Sequence, residues 1–219
     1  MTEPKDRTAA EWRDDLIEVV MMHAAFDGWN EAALARAGRD LGLEDGFVRL
    51  AFPGGVPDAL SHMNGRANRL MREEAARRGV EDMRIRDRIR TLVAIRLEQA
   101  VPYREAVRGA LAHLALPHNA ALSARLLWRA ADAIWRAAGD RATDYNHYTK
   151  RLILSGVYSA TLVVWTGDRS EGFGDTLAFL DRRIDNVMQF EKLKASARRT
   201  ADGMPSLVRF LGRLRYGTR

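Results

Sequence analysis

The chain has 219 residues, 47% hydrophobic and 29% charged, which suits one domain with a buried core, or one domain with an appendage. Of its 35 Lys and Arg and 29 Asp and Glu, residues 191–219 hold eight and two; the first 190 residues therefore carry 27 of each sign, and the formal net charge of +6 lies wholly in the tail. The absence of cysteine excludes disulfides and thiolate metal sites, and no stretch approaches the roughly 18 uncharged apolar residues of a transmembrane span. The N-terminus lacks the apolar core of a signal peptide, and the Arg- and Ala-rich composition points to a bacterial cytoplasmic protein.

Helical spacing runs through the whole chain, so the expected fold is all-α with about ten helices. Thr8-Ala9-Ala10-Glu11 reads as a capping box that opens a first helix ending near Phe26. Asn30 caps a short second helix that Gly42 closes, and a third runs from Glu44 to Ala51. Pro57 suits the first turn of a fourth helix, which Gly79 ends. Further helices are expected at Asp82–Ala100, Tyr103–Leu114, Ala121–Ala138, Asp144–Trp165 and about Gly174–Ala197, with breaks at Pro102, Pro117, Gly139-Asp140 and Gly167-Asp168. The apolar segment Leu152–Trp165 is expected to run through the centre of the body and to wall any cavity there.

The tail, residues 198–219, is expected to form a separate basic amphipathic helix. Met204, Leu207, Val208, Phe210, Leu211 and Leu214 fall within an arc of roughly 160° at helical spacing, with Arg209 and Arg213 opposite. Such a helix lies in a membrane interface, its apolar face at the acyl boundary and its arginines on anionic headgroups. The other reading is a terminal helix packed on its own domain or on a second copy. Residues 1–60 then form a helix-turn-helix-like unit, 61–197 a helical body and 198–219 a membrane-docking tail.

The order of the first three helices resembles the N-terminal unit of TetR-type regulators, whose third helix enters the DNA major groove. Here that helix opens with Glu44 and Asp45 and has Arg49 as its one cation; Ala51–Asp58 carries no Lys or Arg. Carboxylates there would face a polyanion, whereas phosphate contacts supply most DNA affinity. DNA is not expected as a partner, though a ligand-responsive TetR-type repressor stands as the alternative function.

The segment Leu116–Arg151 resembles the coenzyme Q (ubiquinone) biosynthesis accessory family, lipid-binding proteins with a TetR-like fold. The matching pieces are Leu116-Pro117-His118-Asn119, Trp135 with Ala137-Ala138-Gly139-Asp140, and Thr143-Asp144-Tyr145-Asn146-His147-Tyr148-Thr149-Lys150-Arg151. His23–Trp29 and Thr176–Met188 extend the likeness. The resemblance implies a non-enzymatic protein without cofactor or metal. It would bind an isoprenoid quinone intermediate or a phospholipid, dock on the inner face of the cytoplasmic membrane and present the quinone to the demethoxyubiquinone hydroxylase. It also implies a partner-binding patch made of Trp135, Asp144, Asn146, His147, Tyr148 and Arg151, with His147 and Lys150 departing from the family's Trp and Arg. The fold further allows a homodimer.

Several residues have plainer readings. Asp144 would cap the helix after it. His118, beside Pro117 at a helix corner, would make a structural hydrogen bond. Trp128 and Trp135, spaced i, i+7, suit a core face, as do Tyr158 and Trp165. Asp181 and Asp185 stand near Arg182, Arg183 and Lys192 and read as an exposed ion-pair face rather than as paired catalytic acids. No His has a Glu three residues before it, so the spacing gives no di-iron motif.

Overall fold

Thr8 caps the first helix: its backbone N–H donates to Glu11 Oε2 at 2.6 Å, and its hydroxyl accepts from the Glu11 N–H, completing the capping box. The computed structural model describes residues 8–140 and 145–187. Helix α1 (Ala9–Asp27) buries Trp12, Leu16, Ile17, Val20, Met21 and Ala24, a series with helical repeat, and stops at Gly28 with φ 77°. Asn30 caps α2 (Glu31–Asp40) by accepting the Ala33 N–H at 2.9 Å. Gly38 lets α2 press on α3 (Asp45–Ala51), because a Cβ there would run into the Val48 methyl.

Trp29 fastens this N-terminal unit to the body. Its ring is buried and its indole N–H donates to the Ala106 carbonyl, at 2.8 Å, on α6 (Arg104–Leu114). Gly109, one turn further, faces the indole with space that a Cβ would fill in ordinary van der Waals contact. The body continues with α4 (Val56–Arg77), α5 (Ile85–Ala100), α7 (Ala120–Ala137) and α8 (Tyr145–Gly167). Residues 174–187 are helical as well.

The all-α class is borne out: no strand occurs among the described residues. Eight helices are bounded within them and residues 174–187 belong to a ninth, against about ten expected; the expected tenth lies outside the described residues. The expected breaks fall where they should. Pro102 and Pro117 sit in single 3-10 turns, and Gly139 and Gly167 end α7 and α8. Helix α5 starts later than expected because Val80–Asp82 forms a 3-10 turn after Gly79, whose φ of 61° closes α4.

One expectation is corrected. The central helix is α5, with every residue from Leu92 to Leu97 buried. Helix α8 is one-sided instead: Leu154, Tyr158, Leu162 and Trp165 face inward, while Leu152 and Val163 are exposed. The apolar run Leu152–Trp165 gave no signal of that second face, because valine and leucine occupy both sides.

The chain divides into two compact units, Met1–Leu180 and Asp181–Arg219. Of the second, only 181–187 are described, and they are helical. Met204, Leu207, Val208, Arg209, Phe210, Leu211, Arg213 and Leu214, the expected membrane-docking series, lie outside the described residues.

Candidate functional sites: an apolar cavity and the α7–α8 seam

Helices α4 to α8 of the first unit, with Met21 of α1, line a cavity of about 270 Å³. Its wall is largely aliphatic, with Leu70, Leu111, Leu126 and Leu162 as typical members. Such a lining removes apolar ligand surface from water at roughly 25 cal/mol per Å². Helix α8 supplies Tyr158, Ser159, Leu162 and Val163 to the wall, whereas Trp128, Trp135 and Trp165 take no part in it. Val163 and Ala115 are exposed at the same time, so the cavity reaches the surface on their side.

Polar atoms are few and grouped. Arg96 is buried on α5 among apolar neighbours and donates through Nε to the Tyr158 hydroxyl at 2.9 Å. Its Nη2 donates to Asn64 Oδ1 at 3.1 Å and its Nη1 to Asn68 Oδ1. Gln99, one turn along, donates to the Leu70 carbonyl at 3.1 Å and keeps its own buried Oε1 without a partner. Nearer α1, Arg66 pairs with Glu18. Tyr158 lies in the segment expected to wall a cavity, whereas the polar residues of α4 and α5 were not foreseen. One signal was available, a lone arginine inside the apolar run Thr91–Leu97.

The second site is the seam where α7 ends and α8 begins. Arg151 is only 1% exposed; its Nε lies 2.6 Å from Asp132 Oδ1, and its Nη1 lies 3.1 Å from both Asp140 Oδ2 and the His147 carbonyl. Lys150 Nζ lies 2.8 Å from Asp140 Oδ1 and 5.2 Å from the centre of the Trp135 ring. The Trp135 indole N–H in turn donates to the Lys150 carbonyl at 3.0 Å. Burial pushes the Asp132 carboxyl up, but hydrogen bonds from Arg151 and Arg136 outweigh it and hold the group below its ordinary value. Two cations and two carboxylates thus lock the helices together.

Of the six residues expected in a partner patch, Trp135 and Arg151 belong to this lock, and Arg151 points inward. His147 and Tyr148 lie beside it, with ring centres 5.2 Å apart and each within 6.4 Å of Trp128. Tyr148 is 61% exposed and Leu152, one turn on, is 68% exposed, so an aromatic and aliphatic patch faces solvent. Asp144 and the side chain of Asn146 lie outside what is described, and with them the expected cap of α8. At the Pro117 corner the structural hydrogen bond belongs to Asn119 rather than His118: Asn119 is buried and donates to the His113 carbonyl at 2.8 Å, while His118 is exposed.

The helix-turn-helix-like unit carries carboxylates where α3 and α4 begin. Glu44 and Arg49 are exposed on α3, with the apolar Leu50 beside them. The backbone N–H groups at the start of α4 are already taken: Gly54 donates to Asp58 at 2.7 Å and Val56 to Glu31 at 3.3 Å. Two carboxylates therefore occupy the place where a helix N-terminus could receive a phosphate. Gly54-Gly55 is a turn, as expected, and among the described residues no group of three His, Cys, Asp or Glu is placed to hold a metal. No described helix is long and apolar enough to cross a membrane.

Comparison with known proteins gives one family. The COQ9 family model matches residues 120–191. The rat ubiquinone biosynthesis protein COQ9, mitochondrial, is 33% identical over 183 residues, covering 81% of this chain and 59% of the rat protein. The human protein of the same name is 32% identical over the same length, with 81% and 58% covered. A Xenopus laevis relative, COQ9-A, reaches 42% over 100 residues, 46% of this chain and 32% of its own. The chain thus spans somewhat under three fifths of the rat and human proteins. The family recognised from Thr143–Arg151 is the one these matches return. Among solved structures, a TetR transcriptional regulator from Nitrosomonas europaea superposes with a TM-score of 0.64 at 24% identity, covering 79% of this chain and 95% of that one. That likeness establishes the TetR-like fold.

Proposed function

We propose that this COQ9-like chain is a non-catalytic, lipid-binding accessory protein of ubiquinone biosynthesis. It takes a quinone intermediate into the apolar cavity, docks on a membrane through its basic C-terminal segment and offers the intermediate to the demethoxyubiquinone hydroxylase. The observation that carries the reading is the cavity itself: six helices contribute to the wall of an aliphatic space that reaches the surface, instead of closing into a filled core. The relatives' printed names supply the pathway. The exposed Tyr148 and Leu152, braced from beneath by the Arg151 lock, supply a docking face with an aromatic anchor.

Co-sedimentation with anionic liposomes tests the membrane step. The full chain pellets, and a truncation after Arg199 stays in the supernatant. Equal behaviour of the two forms would remove the tail from the mechanism. Mass spectrometry of lipid extracted from the purified protein tests the cavity, and an apolar ligand is expected.

A transcriptional repressor is the second reading, favoured by the TetR regulator's shared fold. The carboxylates at the start of α4 and the exposed Glu44 oppose it. Salt-dependent binding to arbitrary DNA at micromolar protein would restore it.

A further inference from the structure

Polar groups are sparse in the cavity wall, and the cluster around Arg96 has an unusual charge balance. Arg96 is 6% exposed, and its hydrogen-bond partners, Tyr158, Asn64 and Asn68, are all neutral. Among the described residues no carboxylate forms an ion pair with it. A guanidinium stays protonated at any physiological pH and has five N–H donors, of which these contacts use three. A buried cation left without a counter-charge is costly, so a site that keeps one gains much from a ligand that brings an acceptor.

The neighbours repeat the same chemistry. The Tyr158 hydroxyl oxygen accepts from Arg96 Nε, which leaves its own proton to donate. Its ring lies under the guanidinium at 5.1 Å, holding both groups in place. Gln99, on the same face of α5, has its amide turned so that Nε2 serves the Leu70 carbonyl while the buried Oε1 is unpartnered. All three residues line the cavity. They present spare donors on two side chains and one spare acceptor among the lining residues.

We propose that the cavity takes an amphiphile head first: Arg96 and Tyr158 donate to oxygen atoms of the ligand's polar head, and the hydrophobic tail leaves past Val163. The volume agrees, since about 270 Å³ lies just below the usual range of ligand pockets and holds one compact head with the first part of a tail. A long chain must continue outside. This assignment rests on the lipid-binding reading and adds to it a resting polarity, with Arg96 as the determinant; the head must leave Arg96 before the hydroxylase can act on it. The oxygen acceptors could belong to the ring of an isoprenoid quinone or to a phospholipid headgroup; the chemistry at Arg96 is the same.

The test is competition against a fluorescent apolar naphthylamine bound to the full chain. Three probes are used: decylubiquinone, a short-chain phosphatidylglycerol, and decylbenzene, which has ring and tail but no oxygen. In Arg96→Gln at least one oxygen-bearing probe weakens about tenfold or more, while decylbenzene stays within about twofold of the wild type. Whichever oxygen-bearing probe weakens identifies the source of the head. Tyr158→Phe removes only a hydroxyl, keeps the packing and weakens the same probe about threefold, so the proposal stays testable if Arg96→Gln does not fold. If both variants bind the oxygen-bearing probes as the wild type does, and decylbenzene binding is intact, head-first entry is wrong and the lipid-binding reading survives. If the wild type binds none of the three, the lipid-binding reading fails and takes this assignment with it.

Discussion

Arg151 Nε and Asp132 Oδ1 stand 2.6 Å apart across the α7–α8 seam, with the arginine almost wholly buried. Removing the arginine takes from Asp132 and Asp140 the buried cation they share and leaves Arg136 on the one and Lys150 on the other, both exposed. Arg151→Met is therefore expected to lower stability by about 3–5 kcal/mol, read from urea unfolding midpoints. Tyr148→Ala, on the exposed face of the same helix, should move stability by less than about 0.5 kcal/mol. Equal losses in the two variants would mean that Tyr148 is packed rather than presented.

Tyr148 should matter for association instead. With the demethoxyubiquinone hydroxylase immobilised, Tyr148→Ala is expected to weaken binding at least about tenfold, the usual effect of removing an aromatic anchor. Unchanged affinity would move the docking face elsewhere on the molecule.

The Gly54-Gly55 turn carries a sharper structural constraint. Gly55 has φ 61°, and a Cβ there would collide with the Glu31 carboxylate that accepts the Val56 N–H. Gly55→Ala should cost about 1–3 kcal/mol. Gly65, with open space around it inside α4, is the control: Gly65→Ala should stabilise by about 0.5–1 kcal/mol.

Asp168 gives a pH dependence. Burial pushes its carboxyl up, but hydrogen bonds from the hydroxyls and backbone N–H groups of Ser170 and Thr176 outweigh it and hold the group well below the usual carboxylate range. The folded state favours the ionised form. Its contribution is complete above the unfolded value of about 4 and is lost as the pH falls from there toward the folded value. In Asp168→Asn the acid limb of the stability profile should be shallower below about pH 4, with a loss of about 2 kcal/mol at neutral pH. An unchanged acid limb would contradict this role.

Much of the fold was legible because its punctuation is local. Thr8, Asn30, Pro102, Pro117 and the glycines at 28, 139 and 167 each act within one helical turn, so the sequence places the helix ends. The cavity was not legible, because its contacts are distant: Arg96 and Tyr158 meet across 62 positions, and Asn64 comes from a third helix. The inward turn of Arg151 was hidden for a related reason. Its two carboxylate partners lie 19 and 11 positions back, across a helix break, so no local spacing pairs them. His118 and Asn119 show the limit at short range. Both sit at one corner, and which of them turns inward depends on the packing of α6 against α7.

The central claim is that the chain serves ubiquinone biosynthesis at the hydroxylation of a demethoxy precursor. Quinone extracts from a strain lacking the gene for this protein test it most directly. Ubiquinone should fall while demethoxyubiquinone accumulates, and the full chain should restore both. An unchanged quinone profile in the deletion strain would contradict the account.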